Sequence, residues 1–293
     1  MDKKSIIFSY ADDTSSSSSG KTVEEVREKL EEDAEEILKF MASNGLVANP
    51  SKTTLIVMNK KEEEPMKVKV GETYVEQENT AKLLGVQVDD EMDWKEQVLG
   101  KGGVISVLNQ RTHLIRRLRN HINSEKLRRI CDSLWTSKLR YGLQLWATVR
   151  MEDRDPRKAL IVEVQKAQNK LLRVLERKRI SDKTPVREML DNQKMLSVNQ
   201  LAAQIKLVEM WKAKNTENYP VNIEFRATNE NQTETRGATS GKAVETGRTS
   251  RARATFVGDA TRMWNKAPKT ITQAETMGKA KSEIRKYCRT LPT

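Results

Sequence analysis

Ser5-Ile6-Ile7-Phe8-Ser9-Tyr10-Ala11-Asp12-Asp13 begins with β-branched and aromatic side chains and ends in turn formers, the composition of a short buried strand running into an acidic turn. The Ser15 to Ser19 run, closed by Gly20, is low in complexity and fits either a second, polar hairpin strand or a loop. From Thr22 the period changes to that of a helix. Thr22 is set to cap it with Glu25 three residues on, and Asn44-Gly45 is a carboxy-cap; between them Val23, Val26, Leu30, Ala34, Ile37, Leu38 and Met41 recur at three- and four-residue intervals. After the Asn49-Pro50-Ser51 turn, 53–58 reads as a strand, Val68, Val70 and Tyr74 across Gly71 as a hairpin, and 82–88 as a further strand. Strand, helix, strand, hairpin and strand make an α+β unit, with a largely antiparallel sheet covered on one face.

Beyond Trp94 the pattern is helical, over 104–120, 124–148, 157–179 and 196–214. Residues 226–255 are rich in Thr, Gly, Arg and Asn and read as a basic linker. Phe256, Met263 and Trp264 before Pro268, then a basic helix over 274–288, make a last short unit. The expected division is therefore 1–98, 99–225, 226–255 and 256–293.

Charge sharpens this division. The chain carries a net +12, an excess that points to an anionic partner rather than to a need of the fold. Residues 1–100 hold thirteen Lys and Arg against twenty-two Asp and Glu, so the positive charge lies entirely in the remainder. Within 101–150, eleven cations face only two acids, Glu125 and Asp132, which is the mark of a phosphate-tracking surface. Cys131 and Cys288 are too few and too far apart for a disulfide framework or a four-ligand zinc site, and His113 and His121 have no cluster of metal-ligand residues near them in sequence. With no apolar run of membrane-spanning length and no signal-peptide organisation, the expectation is a soluble, intracellular protein, with no membrane partner, in a reducing compartment.

Adjacent carboxylates on a strand-ending turn, Asp12 and Asp13, have the form a divalent-metal site takes when hard cations must grip phosphate. Phe8-Ser9-Tyr10-Ala11-Asp12-Asp13-Thr14 resembles the YADD box of the reverse transcriptases of non-LTR, LINE-like retrotransposons. Leu46-Val47-Ala48-Asn49-Pro50-Ser51-Lys52-Thr53 is similar to the Asn-Pro-x-Lys-Thr segment that follows it in that family, and Lys82-Leu83-Leu84-Gly85-Val86-Gln87-Val88-Asp89 to the primer-grip hairpin, with Asp93-Trp94 opening the thumb. Late in the chain, Arg262-Met263-Trp264-Asn265-Lys266-Ala267-Pro268 is similar to a Trp-Asn-x-x-Pro patch often seen in these polymerases. The first three blocks cover about the first third of the chain.

The resemblance implies an RNA-directed DNA polymerase, a nucleotidyltransferase acting on an RNA template and a DNA primer with Mg²⁺. Its expected fold is a partial palm of antiparallel sheet and helix, then a helical thumb and a helical carboxy-terminal region. Asp12 would hold the metal pair with Asp13 as auxiliary carboxylate, and Lys52 would stand by the triphosphate leaving group. Tyr10 would lie near the primer terminus or template, and Leu84 and Gly85 at the primer-grip turn. In this family the fingers, the first palm aspartate and the nucleotide-selecting segment precede the box, and only nine residues precede Tyr10 here. The expectation is a fragment with negligible polymerase activity alone.

Arg116, Arg117, Arg119, Lys126, Arg128, Arg129, Lys138 and Arg140, interleaved with Leu114, Ile115, Leu118, Leu127, Ile130, Leu134 and Leu139, give helices with one apolar and one cationic face, as a thumb presents to a duplex. Trp135, Tyr141 and Trp146 do not share a helical face, so core packing is expected of them. The alternative reading is a non-catalytic basic helical module that binds RNA or an RNA–DNA hybrid.

Overall fold

The structure, a computed structural model, describes residues 5–58, 64–148, 157–221, 223–225, 242–244 and 255–292. Most of the expected linker at 226–255 lies outside them, as do residues 149 and 150 of the basic stretch. The chain divides into two compact units, Met1–Trp94 and Lys95–Thr293. The fold is α+β, mainly helical with small antiparallel sheets.

In the first unit, β1 (Ile6–Tyr10) pairs antiparallel with β2 (Asp13–Ser17), which decides the serine run in favour of a hairpin strand. The helix α1 (Val23–Ser43) follows. Its ends are those the sequence specifies: Thr22 Oγ1 accepts from the Glu25 N–H at 3.2 Å, and Glu25 accepts in turn from the Lys21 N–H at 2.9 Å. Lys29 beside Glu25 and that Lys21 N–H hold the carboxyl below its usual range. At the other end Gly45 takes φ +70°, the Gly45 N–H bonds Ala42 O at 3.1 Å and the Leu46 N–H bonds Met41 O at 2.9 Å, a Schellman closure. The seven stripe residues of α1 are all half-buried, and the helix packs on β2 and on β3 (Lys67–Val70).

Two further hairpins complete this unit: β3 with β4 (Thr73–Glu76), and β5 (Thr80–Leu83) with β6 (Val86–Asp89). Here expectation and structure part. The three hairpins are separate two-stranded sheets rather than one palm-like sheet, and 53–58 contributes a single parallel bridge, Leu55 to Gln77, in place of a strand. The stretch 82–88 is the turn and flanks of a hairpin. Nor is β1 buried: Ile6, Phe8 and Tyr10 are 66%, 45% and 70% exposed, because among the described residues the only strand beside it is polar and no element covers its face. The apolar core of this unit is small, with Met66, Val68, Val86 and Trp94 buried. Asp89 is buried beside them, its carboxylate accepting the N–H groups of Asp93 at 2.8 Å and Trp94 at 2.9 Å.

The second unit holds the larger core. Its helices are α2 (Lys95–Leu99), α3 (Val104–Leu118), α4 (Ser124–Cys131), α5 (Ser137–Arg140), α6 (Leu143–Trp146), α7 (Arg157–Glu176), α8 (Val186–Asn192) and α9 (Val198–Asn215), followed by α10 (Phe256–Trp264), α11 (Lys269–Thr272) and α12 (Met277–Thr290). The helix expected over 124–148 is interrupted twice. Asp132–Thr136 is a π-turn, and Gly142 at φ +70° ends α5 and opens α6. The expectation for the aromatics holds for two of three: Trp135 and Trp146 are fully buried, whereas Tyr141 is half exposed. Trp135 Nε1 donates to Leu108 O and Thr112 Oγ1, both at 3.1 Å, fastening the π-turn to α3.

α3 packs on α7, and α9 packs on α7, α10 and α12, so the carboxy-terminal helices belong to the same compact unit as the basic ones. A buried ion pair stands where α9 meets α10: Lys206 Nζ lies 2.6 Å from Asp259 Oδ2, with side chains 1% and 0% exposed, and donates to Ala147 O at 2.5 Å. Removing Lys206 leaves the Asp259 carboxylate buried with Arg262, 3.8 Å from Oδ1, as a weaker opposing charge. Lys206→Met is therefore expected to cost about 3–5 kcal/mol in urea unfolding, and Lys206→Met with Asp259→Leu less than Lys206→Met alone. The two free thiols are buried, and burial pushes Cys131 from the ordinary 9.0 to about 11 and Cys288 to about 12. Because the thiolate is the nucleophile, neither should react with an aromatic disulfide reagent at pH 8 until the protein is unfolded, when both should.

Candidate nucleic-acid interface

The acidic turn is built by a two-residue loop. Tyr10 pairs with Asp13 across the hairpin, Ala11 and Asp12 form the tip, and Ala11 takes φ +54°. The hydroxyls of Ser9 and Thr14 meet at 3.1 Å one pair below. Asp12, Asp13 and Tyr10 are all exposed, so the tip offers its carboxylates to solvent. Among the described residues no group of three or more His, Cys, Asp or Glu is arranged to hold a metal ion. Two carboxylates alone do not make a magnesium-pair centre, which needs oxygen ligands from more than one strand end.

Lys52 closes a 3₁₀ turn, Pro50–Lys52, whose shape follows from Asn49. The Asn49 side-chain oxygen accepts the Ser51 N–H at 3.1 Å and the Ser51 hydroxyl at 2.6 Å, while the Lys52 N–H bonds Asn49 O at 3.0 Å. Proline at the second position pre-sets the same turn, and Lys52 is left exposed at its end.

Leu84 and Gly85 form the two-residue loop between β5 and β6, closed by the Leu83–Val86 pair, with φ +46° and +79°. Positive φ at both central residues is the primed turn that matches strand twist, and glycine is suited to it. Leucine is not: a bulky residue held there carries strain of about 1 kcal/mol or more. Asp12, Lys52 and Gly85 thus stand on three separate elements, and among the described residues no common sheet joins them.

Six of the eight cations named from the sequence fall into two groups by their partners. Arg116 and Arg117 in the last turn of α3 and Lys126 in the first turn of α4 are exposed, and no ion pair or side-chain hydrogen bond engages them within the described residues. The others have partners. The Arg119 guanidinium donates to Val174 O at 3.2 Å and Arg177 returns a bond to Arg119 O at 2.8 Å, so these two arginines tie the carboxy-terminal ends of α3 and α7 together. Arg128 pairs with Asp132 at 3.0 Å and Arg129 with Glu125 at 2.8 Å.

The late Trp-Asn-x-x-Pro patch is structural. Trp264 is buried, edge-on to Phe225 at 6.0 Å, with Lys214 over its ring at 5.9 Å. Asn265 clasps Ala243, accepting its N–H at 2.9 Å and donating to its carbonyl at 3.0 Å, and Pro268 caps α11. Sequence reasoning missed Lys194 and Arg285, which line a cleft with Arg128 and Arg140. They lie far apart along the chain, and no local pattern links them.

No helix of the described residues is long and apolar enough to cross a membrane. No protein-family model, curated protein or solved structure matches the chain. Replacing the strained leucine should relieve the primed turn: Leu84→Gly is expected to leave the fold intact and raise stability by up to about 1 kcal/mol, read from the midpoint of chemical unfolding.

Proposed function

We propose that the chain is a palm-and-thumb part of an RNA-directed DNA polymerase of the non-LTR retrotransposon kind, and that its helical unit binds an RNA–DNA hybrid through phosphate contacts. The observation that carries this is the ordered series Tyr10-Ala11-Asp12-Asp13, Asn49-Pro50-Ser51-Lys52 and Leu84-Gly85, each seated at a turn. Asp12 and Asp13 are the metal-facing carboxylates in this reading. They require a further carboxylate from elsewhere before Mg²⁺ can be gripped against a primer end.

A second reading, a basic helical module that binds RNA or hybrid without catalysis, is favoured by the separation of Asp12, Lys52 and Gly85 onto different elements. Both readings share the phosphate surface, where Arg116, Arg117 and Lys126 are left uncompensated. Binding then depends on counterion release, and loss of a phosphate contact weakens affinity for all sequences alike.

Two measurements test this. Arg116→Gln with Arg117→Gln should weaken binding to an RNA–DNA hybrid about tenfold or more near physiological salt, and lower the steepness of log K against log salt by one to two, whereas Asp12→Ala should change neither. Salt-insensitive binding, or none, sinks the phosphate surface. Primer extension on an RNA template with Mg²⁺ separates the readings: this polypeptide alone should extend nothing, and supplementing it with a segment that brings a further palm aspartate should yield extension that Asp12→Ala abolishes. Persistent inactivity under that supplement favours the binding module.

A further inference from the structure

A cleft of about 250 Å³ in the helical unit is lined by the π-turn Asp132–Thr136, the end of α5, the residues leading into α9, and α9 and α12. Four cations reach it, Arg128, Arg140, Lys194 and Arg285, against a single acid, Asp132. That acid is already satisfied. Asp132 Oδ1 accepts from Arg128 at 3.0 Å and from the Thr136 hydroxyl at 3.2 Å, so it cancels Arg128 and leaves three positive charges in the cleft.

Arg140 and Lys194 have no side-chain partner among the described residues, and Arg285 gives only one N–H, to Lys194 O at 3.3 Å. All three residues are exposed where they line the cleft, so water screens their mutual repulsion, and an anion entering it meets cations that no carboxylate neutralises among the described residues. The floor is firm, made of Trp135, Leu139, Met195 and Leu196, all buried. Gln168 is held to Leu196 O at 2.8 Å, and Gln204 adds an amide to the wall. The π-turn is a second, independent sign, since such insertions cost helix hydrogen bonds and recur beside functional sites. At about 250 Å³ the cleft is roomier than one tetrahedral oxyanion needs, so a bound anion shares it with water or with the rest of a larger ligand.

We propose that the cleft between Arg140, Lys194 and Arg285 is a phosphate-binding site. Guanidinium groups suit the paired oxygens of phosphate, with Lys194 as a point charge beside them. The phosphate is either a free ion or a phosphodiester of a bound strand; the chemistry of recognition is the same. The inference does not depend on the polymerase reading.

The test uses the whole chain. Inorganic phosphate is titrated at ionic strength held constant with chloride, by calorimetry, into the parent protein and into Arg140→Gln and Lys194→Gln, which alter exposed side chains and spare the core. Saturable binding is expected in the parent, weakened about tenfold by each variant, and unchanged by Arg116→Gln with Arg117→Gln. A single-stranded ten-residue oligonucleotide is the second arm. If the cleft variants weaken it too, the phosphate is that of a strand; if they weaken inorganic phosphate alone, the ligand is a free ion. Absence of saturable phosphate binding, or binding that both cleft variants leave unaltered, overturns the proposal whatever happens to hybrid affinity.

Discussion

The helical unit depends on one buried ion pair. Lys206 and Asp259 are withdrawn from water almost completely, and a charge of either sign there is tolerable only with its partner in place. Lys206 also donates to the carbonyl of Ala147, so a single ammonium ties α9 to α10 and to the segment that follows α6. The carboxy-terminal helices are thereby fixed against α9, and around this node Trp264, Phe225 and the Asn265 clasp on Ala243 complete the packing.

Burial also sorts the cations. Lys206 and Arg119 are spent inside the unit, one on a carboxylate and one on the carbonyl end of α7, while Arg128 and Arg129 are neutralised within α4 and its π-turn. Among the cations named above, Arg116, Arg117 and Lys126 about the junction of α3 and α4, and Arg140, Lys194 and Arg285 at the cleft, have no carboxylate partner among the described residues. Lys214 shows the boundary between the classes: burial lowers its pKa, and it is occupied by the Thr272 carbonyl and the Trp264 ring.

The first unit is organised on a different principle. No residue of α1 is fully buried, the strands form three separate pairs, and few apolar side chains are sheltered. Its order comes instead from local hydrogen bonding: the Thr22 and Gly45 caps, the Asn49 turn, and Asp89 holding two successive backbone amides ahead of Trp94. Units with little buried apolar surface sit at the low-stability end of a chain, which suits turns that meet a ligand more than it suits a scaffold.

Local physics was legible in the sequence. The ends of α1, its half-buried stripe, the Asn-Pro-Ser-Lys turn and the burial of Trp135 and Trp146 all follow from interactions within a few residues or from a period that one helix can express, whereas the serine run leaves strand and loop open, and its pairing with β1 decides between them. Tertiary structure decided the remainder: that the strands stay in separate pairs, that the long helix breaks at Asp132 and Gly142, that Arg119 faces inward, and that Arg140, Lys194 and Arg285 share a cleft. Those outcomes turn on which groups distant in the chain come within reach of one another. Period and propensity carry no record of that, because burial and pairing are properties of the assembled core.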